Sequence, residues 1–402
     1  MAMVIIGAGQ GAGQAAASFR QEGYEGEIIV LGDEAYPPYQ RPPLSKAYLA
    51  GELPIEKVYV RAEKFYADKN IDIRTGVRVN SIDPDSHQVT TNDGDTIGYE
   101  KLMIATGSRP RILNIEGSDL GGIHYLRTIA DVDGIRDSMH GAQNIVIVGG
   151  GYIGLEVASV AVKSGKTVSV LEAEGRILQR VTTPEMSEYY HNLHQERGLN
   201  ILTETTCSGF NGENGNVTQV LCGDQAIDAD LVIVGIGIIP NIELAQEAGL
   251  ACENGITVDE HCQTSHPDIF AIGDCTNHPN PLLNRRLRLE SVPNAMEQAR
   301  VAVNNMLGGD KIYAAVPWFW SDQYELKLQM VGFSSDGDTQ VLRGDKSSNE
   351  FAVFYLKDNK VVAADAVNAP REFMVAKQLY GQEVDPADLA NPETDLKSLI
   401  KR

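Results

Sequence analysis

Cysteines are few and scattered in this 402-residue chain. At least ten positions separate each from the next, at Cys207, Cys222, Cys252, Cys262 and Cys275. Neither a Cys-x-x-Cys nor a Cys-x4-Cys pair is present, and such pairs are the usual form of a redox-active disulfide or of iron–sulfur ligands. His261, Cys262 and His266 do not have the spacing of a zinc finger. We therefore expect isolated reduced thiols, as in the cytosol, with no metal and no sulfur redox centre.

Long apolar runs and an excess of basic residues are also missing. The longest apolar run, Leu231 to Ile239, ends at Pro240 and is far shorter than the roughly 18 residues of a membrane span. The N-terminus enters an apolar strand without a basic segment or a cleavable apolar stretch, which predicts a cytoplasmic location. A formal net charge of −21 argues against nucleic acid and anionic membranes as partners.

The same glycine-rich turn does occur twice, at residues 7–12 and 149–154. Each turn follows an apolar, β-branched run and precedes a helical pattern. Glycines allow the sharp turn and the close approach of a pyrophosphate, which then lies at the positive end of the following helix. One copy would also fit an ordinary tight turn, but two copies in the same context predict two bound dinucleotides.

An acidic residue follows each turn about 20 positions on, at the end of the next apolar run. These residues are Asp33 and Glu172. A carboxylate there accepts a hydrogen bond from a ribose 2′-hydroxyl and repels a 2′-phosphate, so Glu172 favours NAD over NADP. Arg176 is the one neighbour that opposes this preference, and a solvated strand end is the alternative at both positions.

The order of these patterns predicts an α/β fold with two Rossmann-like nucleotide-binding domains, the second inserted in the first. The short strand patterns after Gly255 complete the first domain. Alternating strands with a hairpin at Asp358 and Asn359, followed by helical patterns, predict a C-terminal α+β domain. The predicted boundaries are 1–110 with 241–312 for the first domain, 111–240 for the second and 313–402 for the third.

Further motifs run along the whole chain, at residues 41–46, 105–107, 125–128, 149–156, 234–237, 271–274, 290–295 and 317–323. With these motifs the chain resembles the FAD-dependent, NADH-linked ferredoxin reductases that serve bacterial cytochrome P450 and ring-hydroxylating dioxygenase systems. One departure is Ala12, where many relatives have glycine, but alanine is accepted at this position of the fingerprint.

The resemblance implies two sets of cofactor-binding residues. For FAD they are Gly7, Gly9, Gly11, Ala12, Asp33, Arg41, Lys46, Val79, Ala105, Thr106, Gly107, Arg127, Asp274, Val292 and Trp318. For NADH they are Gly149, Gly151, Ile153, Gly154, Glu156, Glu172 and Gly237.

Three of these residues are implied to be catalytic. Lys46 and Glu156 are expected to face each other across the domain junction, where a positive charge near the flavin stabilises the reduced ring. Trp318 is expected to wall the flavin, and its i, i+2 spacing puts it on one strand face with Trp320. The alternatives are a solvated lysine, a surface or capping glutamate and a plain C-terminal core.

The implied activity is hydride transfer from NADH to FAD, followed by release of single electrons to a [2Fe-2S] ferredoxin that feeds a P450 or dioxygenase. Ferredoxins are mostly acidic, so basic residues are candidates for docking: Arg285, Arg286, Arg288, Arg300 and Lys327. A solvated loop is the alternative for the three clustered arginines.

Two other functions are open on the same scaffold. An NADH oxidase or peroxidase would need a thiolate against the flavin, but Ser45 lies in the corresponding loop and cannot cycle through a sulfenic acid. A redox-sensing protein of the apoptosis-inducing-factor kind would signal through its NADH complex. Fast turnover with an iron–sulfur acceptor separates the enzyme from the sensor.

Overall fold

The chain forms two compact units in a computed structural model that describes residues 1–401. The first unit comprises Met1–Arg41, Pro54–Arg109 and Ile238–Pro317. The second comprises Pro42–Leu53, Pro110–Gly237 and the chain from Trp318 onward.

The first unit is built on a seven-stranded sheet of order β3-β2-β1-β6-β5-β4, with β18 also paired to β6. Its strands are β1 (Ala2–Ile6), β2 (Ile28–Leu31), β3 (Ile71–Arg74), β4 (Val79–Asp83), β5 (Gln88–Thr91), β6 (Thr96–Ile104) and β18 (Ile269–Ala271). Smaller sheets contain β7 (Ser108–Pro110) with β16 (Ile238–Pro240), and β17 (Ile256–Thr257) with β19 (Thr276–Asn280) and β20 (Arg285–Leu287). Its helices are α1 (Gln10–Gln21), α2 (Glu63–Asp68), α6 (Glu243–Glu247) and α7 (Val292–Met306).

Strand β1 is buried along its whole length because it pairs in parallel with β2 and β6 and is covered on both faces. Helix α1 packs its small residues against α7, where Ala12, Ala15 and Ala16 share a core with Ala299 and Ala302. After the inserted segment the chain returns as β18, which pairs in parallel with β6. The predicted insertion of the second nucleotide-binding domain into the first is therefore confirmed.

The second unit contains a parallel sheet of order β11-β10-β9-β15-β8, the same order as β3-β2-β1-β6 in the first unit with one strand added at the end. Its strands are β8 (Ile123–Tyr125), β9 (Asn144–Val148), β10 (Thr167–Leu171), β11 (Asn200–Leu202) and β15 (Leu231–Val234). An antiparallel sheet beside it contains β12 (Gly209–Glu213), β13 (Asn216–Cys222) and β14 (Gln225–Asp228). The helices of this part are α3 (Ile129–Gly141), α4 (Tyr152–Lys163) and α5 (Pro184–Glu196).

The C-terminal part of the second unit is a five-stranded antiparallel sheet of order β21-β22-β25-β24-β23. Its elements are β21 (Trp318–Gln323), β22 (Leu326–Gly332), β23 (Thr339–Asp345), β24 (Glu350–Lys357), β25 (Lys360–Val367), α8 (Pro370–Leu379) and α9 (Pro386–Ala390). Asp358 and Asn359 join β24 to β25 with φ values of 50° and 59°, as the predicted hairpin requires. The predicted C-terminal α+β fold is confirmed.

Residues 42–53 lie in the second unit, whereas the predicted boundary puts them in the first domain. The Tyr48 hydroxyl donates to Asp133 at 2.8 Å, and the Arg136 guanidinium lies 5.5 Å from the Tyr48 ring centre. These contacts attach the segment to α3. The domain boundaries as such stay a prediction. Among residues 1–401, none of the helices has the length and apolar character needed to cross a bilayer.

Candidate active site

At the first glycine turn, the ends of strands β1 and β6 come very close together. Gly7 has φ +102°, and a Cβ atom there would lie 2.3 Å from the carbonyl oxygen of Ala105. A side chain at Gly9 would meet nothing within 4 Å. The turn therefore excludes a side chain on its inner side and leaves room for a ligand on its outer side.

The two helices that follow the glycine turns lack a side-chain N-cap, whereas three other long helices have one. Thr128, Thr183 and Ser291 cap α3, α5 and α7 with side-chain oxygens. Helices α1 and α4 begin after Gly9 and Gly151, which have no side chain to accept from the first amides. These two N-termini are thus suited to bind the anionic group of a ligand.

The other predicted FAD residues of the first unit are spread over its strand ends. Ser108 Oγ donates to Asp274 at 2.9 Å, and Thr106 Oγ1 donates to the Asn241 carbonyl at 2.7 Å. Arg41 donates to Glu34 and to the Tyr39 hydroxyl, both at 2.9 Å. The remaining ones are exposed Asp33 after β2, buried Val79 in β4, Ala105 and Gly107 after β6, and Val292 at the start of α7.

The second glycine turn is built on the same backbone geometry. Gly149 has φ +112°, and a Cβ there would lie 2.3 Å from the carbonyl oxygen of Gly235. The Glu172 carboxylate accepts from the Gly150 and Glu174 amides, each at 2.9 Å. Glu172 therefore holds the turn in place, and its contact with a ribose stays a prediction. Gly237, beyond β15, has φ +105°.

Arg176 is engaged within its own loop. Its guanidinium donates to the carbonyl oxygens of Gln179, Thr182 and Thr183 at 3.0, 2.9 and 3.3 Å. A guanidinium held in this way supports the loop after β10. The one residue that opposed a preference for NAD thus has a structural role.

Lys46 and Glu156 form an ion pair with 2.7 Å between Nζ and Oε2. Both are in the second unit, where Lys46 follows the 3₁₀ turn Pro42–Ser45 and Glu156 lies in α4. Ser45 Oγ donates to the same carboxylate oxygen at 2.5 Å, and Ser321 Oγ donates to Oε1 at 2.6 Å. Lys46 and Glu156 therefore face each other as expected, but within one unit and not across a junction between units. Their catalytic roles stay predictions.

Trp318 and Trp320 lie on one face of β21 with ring centres 5.6 Å apart. The Lys377 ammonium group lies 4.7 Å from the Trp318 ring centre. Trp318 Nε1 is buried and has no hydrogen-bond partner among residues 1–401. A buried donor without a partner is costly, so this nitrogen is suited to contact a bound group.

Arg127, the remaining predicted FAD residue, precedes the N-cap of α3. Its backbone amide donates to the Asp131 carboxylate at 3.0 Å. Asp131 also accepts from the Thr128 amide, which closes the capping box of that helix. The start of α3 thus fixes the backbone of Arg127.

The basic residues predicted to dock a ferredoxin differ in their contacts and exposure. Arg286 donates to the carbonyls of Val258 and Asn277, and Arg288 pairs with Glu290 at 2.6 Å. The side chains of Arg285, Arg300 and Lys327 are exposed, the last of these in β22 of the second unit.

Ser108, Asn241 and Ser321 are polar site residues that sequence reasoning missed. Each hydrogen-bonds a predicted site residue, but serine and asparagine are common in loops and strand ends, so their type carried no signal. Ser321 lies within the motif at residues 317–323, and this position was the one available indication.

All five cysteine side chains are buried or partly buried. Burial raises the pKa of all five thiols, that of Cys207 and of Cys275 to about 11. The thiol is therefore the dominant form at neutral pH, and the reactive thiolate is scarce. Ser45, in the loop where the resemblance would place the cysteine of a thiolate enzyme, is buried and donates to Glu156.

The residues present fit two dinucleotides. Each unit has one glycine turn with a positive φ, a helix N-terminus without a capping side chain and a carboxylate after the second strand. Buried Oε1 of Gln10, at the start of α1, also lacks a hydrogen-bond partner among the described residues.

Two family models match the chain. The model of the pyridine nucleotide-disulphide oxidoreductases matches residues 1–299, and that of the reductase C-terminal domain matches residues 318–400. The chain belongs to the pyridine nucleotide-disulphide oxidoreductase family. The predicted fold class and the assignment to oxidoreductases are confirmed.

Similar proteins match over nearly their whole length. Putidaredoxin reductase of Pseudomonas putida is 44% identical over 99% of this chain and 96% of its own. The ferredoxin–NAD(+) reductase component of the anthranilate 1,2-dioxygenase system of Burkholderia cepacia is 41% identical, with 99% and 98% covered. Rubredoxin-NAD(+) reductase of Pseudomonas putida is 39% identical, with 92% and 97% covered.

A solved structure also matches nearly the whole chain. A chain in the crystal structure of the covalent putidaredoxin reductase-putidaredoxin complex matches with a TM-score of 0.95 and 43% identity, covering 99% of this chain and 98% of that chain. The resemblance to the ferredoxin reductases is confirmed.

Proposed function

We propose that this protein is an FAD-containing NADH:ferredoxin reductase of the cytoplasm. It takes a hydride from NADH and passes electrons singly to a [2Fe-2S] ferredoxin, which feeds a cytochrome P450 or a ring-hydroxylating oxygenase. The observation that carries the proposal is the pair of glycine turns with equal geometry, one in each unit, in a chain similar throughout to reductases of this kind.

FAD is held in this proposal by the first turn, the N-terminus of α1 and Asp274. Bound FAD supplies the ability to accept two electrons together and to release them one at a time, which an iron–sulfur acceptor requires. Ser108 keeps the Asp274 carboxylate in one orientation through its 2.9 Å hydrogen bond. Gly7 keeps the strand ends close enough for the backbone to contact a pyrophosphate.

NADH is held by the second turn, the N-terminus of α4 and Glu172. The carboxylate of Glu172 discriminates against a 2′-phosphate by charge. Because Arg176 is engaged with backbone carbonyls, it does not offset this repulsion. The proposal therefore includes a preference for NADH over NADPH.

Lys46 is the residue that stabilises negative charge gained by the flavin. Its ammonium group keeps a fixed position because it pairs with Glu156 at 2.7 Å and donates to the Pro42 carbonyl at 3.2 Å. A fixed charge in a partly buried site stabilises developing negative charge without reorganisation. Hydride transfer needs no acid or base from the protein, so the residues serve to orient the reactants and exclude water.

The decisive experiment is an anaerobic assay of the purified yellow protein with NADH and then NADPH as donors. A panel of [2Fe-2S] ferredoxins and a rubredoxin serve as acceptors. We expect fast reduction of at least one ferredoxin with NADH, and at least tenfold lower kcat/KM with NADPH. A colourless protein that takes up no FAD, or turnover with oxygen alone, contradicts the proposal.

Docking of the ferredoxin is proposed to use the exposed basic side chains of Arg285 and Arg300 in the first unit, with exposed Lys327 of the second unit as a further candidate. Charge at the rim of an interface governs the association rate more than the chemistry. Arg285→Glu and Arg300→Glu together should slow ferredoxin reduction severalfold at low salt and leave NADH-driven reduction of ferricyanide unchanged. An equal loss with both acceptors would show that these arginines do not act in docking.

A further inference from the structure

Glu156 lies at one end of a buried line of hydrogen-bonded side chains. Ser321 Oγ donates to Glu156 Oε1 at 2.6 Å, and Gln323 Nε2 donates to Ser321 Oγ at 3.2 Å. Gln323 Oε1 lies 2.8 Å from Nε2 of His194. All four side chains are at most 3% exposed, and they connect α4 through β21 to α5 within the second unit.

The direction of these hydrogen bonds follows from His194. Its Nδ1 is buried with no hydrogen-bond partner in the described part of the chain. A buried N–H without an acceptor is rarer and more costly than an acceptor without a donor, so the proton belongs on Nε2. His194 Nε2 therefore donates to Gln323 Oε1, which turns the amide nitrogen of Gln323 towards Ser321.

The imidazole is a neutral donor throughout the physiological range. Burial lowers the pKa of His194 to about 4. The line thus adds no second positive charge near Glu156, and Lys46 remains its cationic partner. Every donor in the line points towards the Glu156 carboxylate, and Ser321 donates to its Oε1. The other carboxylate oxygen, Oε2, accepts from Lys46 and Ser45, which are not part of the line.

We propose that Ser321, Gln323 and His194 are positioning residues that hold the Glu156 carboxylate in the orientation in which it contacts bound NADH. The inference rests on the proposed function. A carboxylate held on one oxygen only can rotate, whereas donors on both oxygens fix its plane. His194 acts at a distance, because without its donor the Gln323 amide is free to turn its oxygen to Ser321 and draw that hydroxyl away from Glu156.

The test uses the FAD-loaded protein and measures the Kd for NAD+ by calorimetry. Ser321→Ala removes one donor to the carboxylate and should weaken NAD+ binding about tenfold, as expected for a hydrogen bond to a charged group. Ser159→Ala is the matched control: Ser159 is also buried in α4, but its hydroxyl donates to the Glu156 backbone carbonyl at 2.7 Å. It should leave the Kd unchanged.

His194 supplies a pair of variants that separates positioning from packing. His194→Phe keeps the ring and removes the donor, and it should weaken NAD+ binding about fivefold. His194→Gln restores an amide donor and should recover most of the affinity. In NADH-driven ferricyanide reduction the loss should fall mainly on KM. A purely structural role would instead lower the melting temperature and the FAD content in both variants.

Unchanged NAD+ affinity in Ser321→Ala, or equal loss in Ser159→Ala and Ser321→Ala, overturns the inference. If Ser321→Ala does not fold, the two His194 variants decide: equal affinities overturn it and a Phe-specific loss supports it. Failure of the proposed function is distinct, since the wild-type protein would then not bind NAD+ or reduce a ferredoxin.

Discussion

The two nucleotide-binding folds share the first position of the glycine turn and differ at the sixth. Gly7 and Gly149 have nearly the same φ, and a Cβ at either would lie 2.3 Å from a facing carbonyl oxygen. At the sixth position the first turn has Ala12, whose methyl group is buried in the core, whereas a Cβ at Gly154 would lie 2.3 Å from the Gly149 oxygen. The second helix thus begins closer to its own turn than the first.

The two helices are also covered differently. Helix α1 packs on α7 through alanine, valine and phenylalanine side chains. Helix α4 meets β21 through the Glu156–Ser321 hydrogen bond, and the Tyr152 ring lies 5.3 Å from that of Phe319. The comparison indicates that the first fold is held by apolar packing and the second by polar contacts as well.

The largest effect is expected from Gly154→Ala. The added Cβ would displace the turn, and overpacking of this kind costs about 1–3 kcal/mol. NAD+ affinity should fall more than tenfold while FAD stays bound, as measured by calorimetry and flavin absorbance. Ala12→Gly, the reverse change at the matching position, should keep both ligands. NAD+ affinity within about threefold of wild type in Gly154→Ala would remove this difference between the folds.

The difference at the sixth position shows what sequence could predict. The two turns, their following helices and the insertion follow from glycine spacing and apolar runs, which are local signals. That Ala12 is accepted follows from the fingerprint, but that Gly154 has no room for a methyl group depends on the position of the Gly149 oxygen. Likewise, the pairing of Lys46 with Glu156 was expected from the resemblance, whereas Ser321 and His194 are brought to Glu156 by long-range packing.

A second prediction concerns the carboxylates after the two turns. Glu172→Arg removes the repulsion of a 2′-phosphate and the acceptor for the Gly150 amide. The ratio of kcat/KM for NADPH to that for NADH should rise about tenfold or more. Glu172→Gln, which keeps one acceptor oxygen, should give a smaller rise. Asp33→Asn in the first fold should leave the ratio unchanged, and a shift there would contradict the assignment of the folds to their ligands.

The polar support of the second fold predicts a dependence of its stability on pH. Asp365 is buried and accepts from Thr182 and Tyr355 at 3.1 and 2.8 Å. Burial raises its pKa to about 6, above the usual value of 3.8, although the two hydrogen bonds oppose this rise. The folded state therefore binds the proton more tightly than the unfolded state. The contribution of the Asp365 carboxyl group to the free energy of unfolding is fully present below about pH 4 and is lost as the pH rises through 6.

Asp365→Asn removes this titration while keeping an acceptor oxygen. When the pH is raised from 4 to 7, the free energy of unfolding should fall by about 2 kcal/mol less in the variant than in the wild type. Urea unfolding at a series of pH values measures this difference. Thr182→Val removes a bond that lowers the pKa, so the midpoint should move to higher pH. If wild type and Asp365→Asn have parallel profiles, Asp365 does not provide the pH dependence.

The smallest effect is expected at the fifth position of the turns, which is Gly11 in the first turn and Ile153 in the second. A Cβ at Gly11 would lie 3.1 Å from Ile272 Cδ1 and 3.4 Å from the Ala295 oxygen. The tip of Ile272 can move by a few tenths of an ångström, and alanine is favoured over glycine in a helix by about 1 kcal/mol. Gly11→Ala should therefore change the free energy of unfolding by less than about 1 kcal/mol and retain FAD.

The two turns differ in how they are covered at this position. Ile153 is 45% exposed, so the second turn is open where α7 covers the first. Release of FAD from Gly11→Ala would mean that the contact between α1 and α7 cannot yield, and that the first fold is the tighter of the two at this position.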